Sequence, residues 1–392
     1  MLRVEYSYPE PAAPVNFRNR FQADLSSMMR ESKSSTIMLI NQLQPASLGP
    51  YQLESPLYQA ALSGYSDYPM RVIAAKLGAT YTLCEVMIDR MVVQSKQGKQ
   101  HAMMYCHQDE FPVGGQLMGS DPEEFGPAAQ RLVEAGFHVI DINFGCPVRK
   151  VMSRCRGGYH LSQPEVALEI ISRVRDAVPD QLPVTLKMRR GIDDSAESED
   201  HFFRIFDGAY ERGLAAITVH GRTVHQKYVG PSNWEFLKKV KQHAGQRTVI
   251  GSGDLFSPQA CIDMLRVTQV DGLSIARGAI GNPWIFQQTA DLLRGLPISP
   301  PDVHEQLAVI TEHFEIARGF YGEKKVCNTM RKFGIFYSEL HPQRTAVRNA
   351  FIAVKSVDQW LQVLKQWYAD NAPGIFPPVE KPNPLSSEEP TL

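Results

Sequence analysis

Cys146 lies in the run DINFGCPVRK, which starts at Asp141, and its neighbours are of types that suit chemistry. The residues before it (HVIDI from His138) alternate and are rich in β-branched types, which predicts a strand ended by Asn143, Gly145 and Pro147. A thiol on a turn at the carboxyl end of a strand sits where α/β enzymes keep their reacting groups. The bases Arg149, Lys150, Arg154 and Arg156 follow at once, a rim suited to a large anionic substrate. Other strand-like runs carry polar residues as well: Gln116 in PVGGQLM, Lys187 in VTLKM, and His220 ending AAITVH with Arg222 two residues on. An unpaired charge inside a sheet costs several kcal/mol, so Lys187 and His220 on consecutive strands point to a shared polar ligand. Ser252, Gly253 and Asp254 in GSGDLFSP, and Ala276 and Arg277 in ARGAIGNPW, precede helical runs. Backbone N–H groups at such a helix start hold a phosphate. A ligand with a phosphate at one end and a ring with a carbonyl and an electron-rich nitrogen at the other is a flavin mononucleotide.

The elements that must carry these residues alternate regularly. Strands are predicted at Pro56 (PLYQAAL), Thr80 (TYTLCEV), Pro112, His138, Val184, Ala215, Arg247 (RTVIGSG) and Gly272 (GLSIA), with amphipathic helices between, such as those from Pro122 and Pro164. Asp67, Asp121, Ser162 and Ser257 stand at expected helix starts. Eight strands alternating with helices predict a (β/α)8 TIM barrel, which takes ~250 residues. The rival doubly wound sheet expects a glycine-rich turn after its first strand, and AALSGYSD from Ala60 lacks it. Beyond Pro301 the spacing is helical only. The expected organisation is a weakly ordered extension over 1–50, a barrel over 51–298, a smaller all-helical domain over 299–370 and a disordered tail over 371–392.

Composition bounds the class. The chain has 392 residues, 43% hydrophobic and 21% charged, with formal net charge -1. That is ordinary for a globular protein, and any affinity for nucleic acid must come from local clusters. One such cluster is Lys324, Lys325, Arg331, Lys332, Arg344, Arg348 and Lys355, interleaved with Phe333, Phe336 and Tyr337. The six cysteines form no C-x-x-C pair, so no structural metal site is expected. No apolar stretch reaches the ~20 residues of a membrane span, and the start lacks a signal peptide, so a cytoplasmic monomer is expected.

These motifs together resemble the tRNA-dihydrouridine synthases, most closely the bacterial branch. The resemblance runs from about Pro56 to Tyr337 and rests on NFGCPVRKV, VTLKMRRGID, TVHGRTVHQKYVGPSNW, SGDLFSP, ARGAIGNPW and MRKFGIFY. It implies a barrel that binds FMN, a helical domain that grips tRNA, reduction of the flavin by NADPH, and hydride transfer to C6 of a uridine. The family cysteine, matching Cys146, then protonates C5. Flavin contacts carry over to Ala61, Leu62, Ser63, Gln116, Lys187, His220, Ser252, Gly253, Asp254, Ala276 and Arg277. RNA contact is expected from Arg149, Lys150, Arg154 and Arg156 on the rim and from Lys324, Lys325, Arg331 and Lys332 in the helical domain.

The chain also departs from the family pattern. Ala61 and Leu62 replace a Pro-Met pair, and Ser252 replaces an asparagine. Val224, followed by His225, replaces an arginine; Phe333 replaces a histidine; and Cys155, Tyr159 and His160 are unusual on the rim. The last three groups are expected to face RNA and to bear on which uridine is chosen. Two other readings stand beside this one: a flavin barrel acting on a small pyrimidine, in the manner of dihydroorotate dehydrogenases, and an RNA-binding protein that has lost catalysis.

Overall fold

The computed structural model describes residues 46–94 and 104–378. The extension expected over the first residues falls outside them, except that Ala46–Leu48 pairs with Tyr51–Leu53 as an antiparallel hairpin. The predicted extension thus stops short of residue 50, because Leu48 and Leu53 have an apolar surface to cover.

That surface is the floor of a closed barrel. Eight parallel strands form it: β1 (Leu57–Gln59), β2 (Tyr81–Leu83), β3 (Val113–Met118), β4 (Val139–Phe144), β5 (Val184–Arg189), β6 (Ala216–His220), β7 (Val249–Ser252) and β8 (Gly272–Ile275). They pair in chain order, and β8 pairs with β1, which closes the ring and excludes the doubly wound sheet. A ring helix follows each strand: α1 (Tyr68–Lys76), α2 (Asp89–Gln94), α3 (Pro122–Glu134), α4 (Pro164–Ala177, after a single turn over Arg149–Met152), α5 (Ala196–Glu211), α6 (Trp234–Ala244), α7 (Pro258–Thr268) and α8 (Trp284–Leu293). Asp67, Asp121 and Ser257 cap α1, α3 and α7 by accepting backbone N–H bonds. Ser162 does not cap α4; its hydroxyl donates to Tyr159 O, and Gln163 takes the cap position.

Along each strand the side-chain period of two sends one set of residues outward to the helices and the other into the lumen. At the lumen floor Tyr58, Tyr81, Leu83, Val139, Ala216 and Ile250 pack with Leu48 and Leu53 of the hairpin. Further up, the same strands carry Gln116, Asp141, Asn143, Thr185, Lys187, Thr218 and His220. Strand pairing sets Gln116 beside Asp141, Asn143 beside Lys187, and Arg189 beside His220. The lumen is therefore dry at one end and polar at the other.

Four more helices follow: α9 (Val303–Tyr321), α10 (Glu323–Tyr337), α11 (Arg344–Ala353) and α12 (Val357–Trp367). Trp360 is buried and stacked on Phe314 at 4.8 Å, as its spacing with Leu364 and Trp367 on one helix face suggests. The expected tail starts too early. Residues 371–378 return over this bundle, with Ile375 N donating to Leu340 O and the Asn371 amide to Asp302, because α9 offers its capped start as a partner. Residues 379–392 lie outside the described part.

Candidate functional site

The turn after β4 is built by Asn143. Its Oδ1 accepts from Gly145 N at 2.9 Å and Cys146 N at 3.1 Å, which folds the chain sharply enough to leave the thiol at the mouth of the lumen. Gly158 N donates back to Cys146 O at 3.0 Å. A Cβ on Gly157 would lie 2.8 Å from Cys146 Cβ, so only glycine lets the rim close against the cysteine. Burial pushes the Cys146 thiol up, outweighing the Val148 backbone N–H and the Arg189 charge that favour the thiolate. The sulfur is therefore a protonated thiol at neutral pH.

Below it runs a continuous chain of polar side chains. Asn143 Nδ2 donates to Gln116 Oε1 at 2.7 Å, Gln116 Nε2 to Asp141 Oδ2 at 2.7 Å, and Thr185 Oγ1 to Asp141 Oδ1 at 2.5 Å. Burial raises the Asp141 pKa, against those two hydrogen bonds and the charge of Lys187. Burial lowers Lys187 to about 8, and its Nζ is enclosed with no hydrogen-bond partner among the described residues. An enclosed ammonium without a partner is costly, so it marks a place for an electron-rich ligand atom.

His220 is half-buried among Arg189, Lys187, Arg222 and Arg277, and desolvation together with those charges holds it neutral. Its Nδ1 accepts the Arg222 backbone N–H at 3.1 Å, which leaves the proton on Nε2 as a donor. Arg222 in turn bonds Asp254 Oδ1 at 2.6 Å and Gly230 O, while its second terminal nitrogen is buried and unpartnered. Asp254 also accepts Ser232 N at 2.7 Å. Its side chain is thus committed to the wall, which leaves its backbone to face a ligand. The Ser252 hydroxyl is likewise committed, donating to Ser274 O.

Ser232 Oγ is buried without a partner and would lie 2.4 Å from a Cβ on Gly253 (φ +117). On the adjacent turn, a Cβ on Gly278 would lie 2.0 Å from Leu255 O, a backbone atom that cannot step aside. Gly278→Ala is expected to lower stability by about 2 kcal/mol and to spoil this cradle. Urea unfolding of the two proteins measures the first effect and FMN titration the second.

The structure brings Cys146, Gln116, Lys187, His220, Gly253 and Arg277 to one end of the barrel, with Ala61, Leu62 and Ser63 on the loop after β1. Arg149, Lys150 and Arg154 are exposed on the rim, as are Lys324 and Lys325 on α10. Arg156 is different: its Nε is enclosed, and it lies within electrostatic reach of Asp89. Lys332 turns inward to Gly64 O.

Three departures expected to face RNA are buried instead. Val224 packs where a Cβ on Gly158 would sit, His160 Nε2 donates to Gly119 O at 2.9 Å, and Phe333 lies in the core beside His313 and Tyr65. Cys155 and His225 are exposed, and Tyr159 is partly so.

Sequence reasoning passed over Arg189 and Tyr228. Arg189 is buried and donates to Gly145 O at 2.9 Å, Thr223 O at 2.8 Å and Lys227 O at 2.7 Å. The Tyr228 ring faces the guanidinium groups of Arg189 and Arg277 at 5.6 and 4.8 Å. The signal for Arg189 was present: it lies two residues beyond Lys187 on the same strand, hence on the same face.

Among the described residues no cluster of histidine, cysteine and acids could hold a metal ion, and no helix is long and apolar enough to cross a membrane.

Solved structures with a similar fold include histamine dehydrogenase from Rhizobium sp. 4-9, at TM-score 0.50 and 15% identity over 70% of this chain and 51% of that one. Another is a 2-naphthoyl-CoA reductase, at TM-score 0.50 and 12% identity over 66% and 53%. At that identity they speak for the barrel alone. Sequence relatives reach further. tRNA-dihydrouridine synthase B of Xanthomonas campestris is 31% identical over 85% of this chain and 98% of its own length. The protein of the same name from Vibrio cholerae is 34% identical over 83% and 98%. The sequence profile described as Dihydrouridine synthase (Dus) matches residues 58–372. With the profile spanning all eight barrel strands and the four helices beyond them, this chain belongs to the dihydrouridine synthase family.

Proposed function

We propose that this chain reduces the C5=C6 bond of uridines in tRNA to 5,6-dihydrouridine, using flavin mononucleotide at the barrel mouth and NADPH as reductant. The observation that carries the reading is the protonated thiol of Cys146 at the same mouth as the enclosed, unpartnered ammonium of Lys187. The names of the curated relatives support tRNA as the substrate.

The residues fit the cofactor at both ends. Lys187 Nζ and His220 Nε2 are donors for an electron-rich ring, and Gln116, whose amide oxygen is already used, keeps one N–H free of the chain beneath it. Ser232 Oγ, Arg222 and the backbone at Gly253 and Gly278 suit a phosphate. Bound there and reduced, the flavin supplies hydride to C6 of the uracil ring.

The chain's own part is to orient and to move a proton. Lys187 and His220 would hold the flavin ring as donors and favour negative charge on it. Asn143 fixes the turn that carries Cys146, and the thiol gives its proton to C5 as a general acid. The uracil must leave its stack to reach the mouth. Arg149, Lys150 and Arg154 on the rim, with Lys324, Lys325 and Arg331 of the helical domain (299–370), meet phosphates around the opened base.

The test is reduction of an unmodified tRNA transcript by the purified protein with FMN and NADPH, together with dihydrouridine maps of cells with and without the gene. Dihydrouridine at defined positions is expected, with none on free uridine. Activity confined to free pyrimidines would favour the small-substrate reading. A flavin-free protein that binds tRNA without turnover would favour lost catalysis.

A further inference from the structure

The loop that carries Ala61, Leu62 and Ser63 is gripped from outside the barrel. Within the loop, Ser66 Oγ accepts from Leu62 N at 2.8 Å and Ser66 N donates to Leu62 O at 3.0 Å, a turn closed on itself. Gly64, at φ +80, is then held from two sides. Its carbonyl accepts from Lys332 Nζ of α10, and on its other side the carboxylate of Glu85, beyond β2, lies within electrostatic reach of its N–H and of Lys332. The Tyr65 ring stands edge-on to Phe333 and Phe336 of α10 at 5.6 and 5.8 Å, with Lys332 Nζ 4.8 Å over it. Asp67, which caps α1, accepts from Tyr321 OH of α9 at 2.8 Å. Gly64, Tyr65 and Asp67 are thus each tied to an element other than the strand they follow.

We infer that Lys332 is a positioning residue for the cofactor loop, acting through Gly64 and Tyr65 and paired across the loop by Glu85, and that it is not an RNA ligand. The inference rests on the functional reading above. A half-buried ammonium that already holds a carbonyl, lies over two rings, Tyr65 and Phe333, and faces the carboxylates of Asp67 and Glu85 is not free to meet a phosphate. Lys324 and Lys325, two turns earlier on α10, are exposed and have no such ties among the described residues. α10 therefore has two jobs on two faces: an outward basic face, and an inward face that sets where the backbone of Ala61–Ser63 lies. A site built on a loop needs such support if its contacts are to hold their geometry.

The experiment is FMN titration of flavin-stripped full-length protein, read by quenching of flavin fluorescence, alongside binding of unmodified tRNA at several salt concentrations. Lys332→Met is expected to weaken FMN at least tenfold and to shift the bound-flavin absorption. It should leave the salt dependence of tRNA binding as in the wild type. Lys332→Arg, which keeps a charged donor, should recover most of the loss. The double variant Lys324→Ala/Lys325→Ala should show the reverse, with FMN affinity unchanged and tRNA binding weakened. Should Lys332→Met fail to fold, Glu85→Gln removes the charge on the other side of Gly64, and a loss of at least threefold in FMN affinity is expected from it. FMN affinity at the wild-type value in folded Lys332→Met, or in Glu85→Gln, overturns the inference. A wild-type chain that binds no FMN overturns the functional reading and this inference together.

Discussion

Cys146→Ala is expected to lose dihydrouridine formation by a factor of 10²–10⁴, the usual share of a positioned general acid, while keeping FMN and its reduction by NADPH. The substitution removes a sulfur whose own polar neighbour is the Val148 backbone N–H; the turn around it is held by Asn143, Gly158 and Arg189 through backbone atoms. Stopped-flow bleaching of the flavin by NADPH should thus match the wild type, and single-turnover reduction of tRNA should collapse. Turnover within threefold of the wild type would remove Cys146 from the mechanism. The same role fixes a pH dependence. The active form is the protonated thiol, and burial raises its pKa above the ordinary thiol value. The thiol's own fall in the single-turnover rate should accordingly come as pH rises through that raised value, later than the ~8.5 of a free cysteine and beyond the limb that Lys187 sets at about 8. A rate that increases as the thiol ionises would make the sulfur a nucleophile instead.

Arg189→Met should be nearly as damaging, although the side chain is remote from the sequence motif of the catalytic turn. Its guanidinium ties Gly145 O to the carbonyls of Thr223 and Lys227, so it joins the Cys146 turn to the loop that carries Tyr228. Methionine fills similar space but leaves three carbonyls without donors, each of which costs ~1–3 kcal/mol when enclosed. Lysine would not replace it, because one ammonium cannot reproduce the planar fork. The expected result is a fall of ~10²-fold in the rate of tRNA reduction, the scale of a 1 Å misplacement of a reacting group. FMN content should be unchanged and KM for tRNA little affected. Urea unfolding should report a loss of about 3 kcal/mol. A variant that keeps the wild-type rate would mean that the Cys146 turn holds itself.

The barrel was legible because its signals are local. Each strand alternates, each following helix has apolar residues three and four apart, and the polar residues near the ends of β3, β5 and β6 break the apolar pattern at one end only. Gln116, Lys187 and His220 could be picked out for that reason. What the sequence did not reveal lies where local periodicity gives no direction. Val224 and His160 follow glycine-rich turns, and only the close approach of the two loops shows that they point inward. Phe333 was a different kind of miss. Val326, Met330, Phe333 and Tyr337 are spaced four, three and four apart and all are buried, so the helical stripe already placed Phe333 in the core. The neighbouring basic residues drew it to the surface reading instead. Ser232 and Glu85 carried no signal at all, since each gains its meaning from a partner far away in the chain.

The hairpin under the barrel has a consequence for the order of events. With Leu48 and Leu53 stoppering one end, the vessel is open among the described residues at the other, and in the proposed scheme the reductant and the RNA both come to that end. In that scheme the visitors alternate, the first leaving before the second arrives, and each cycle divides into two half-reactions with the electrons stored between them.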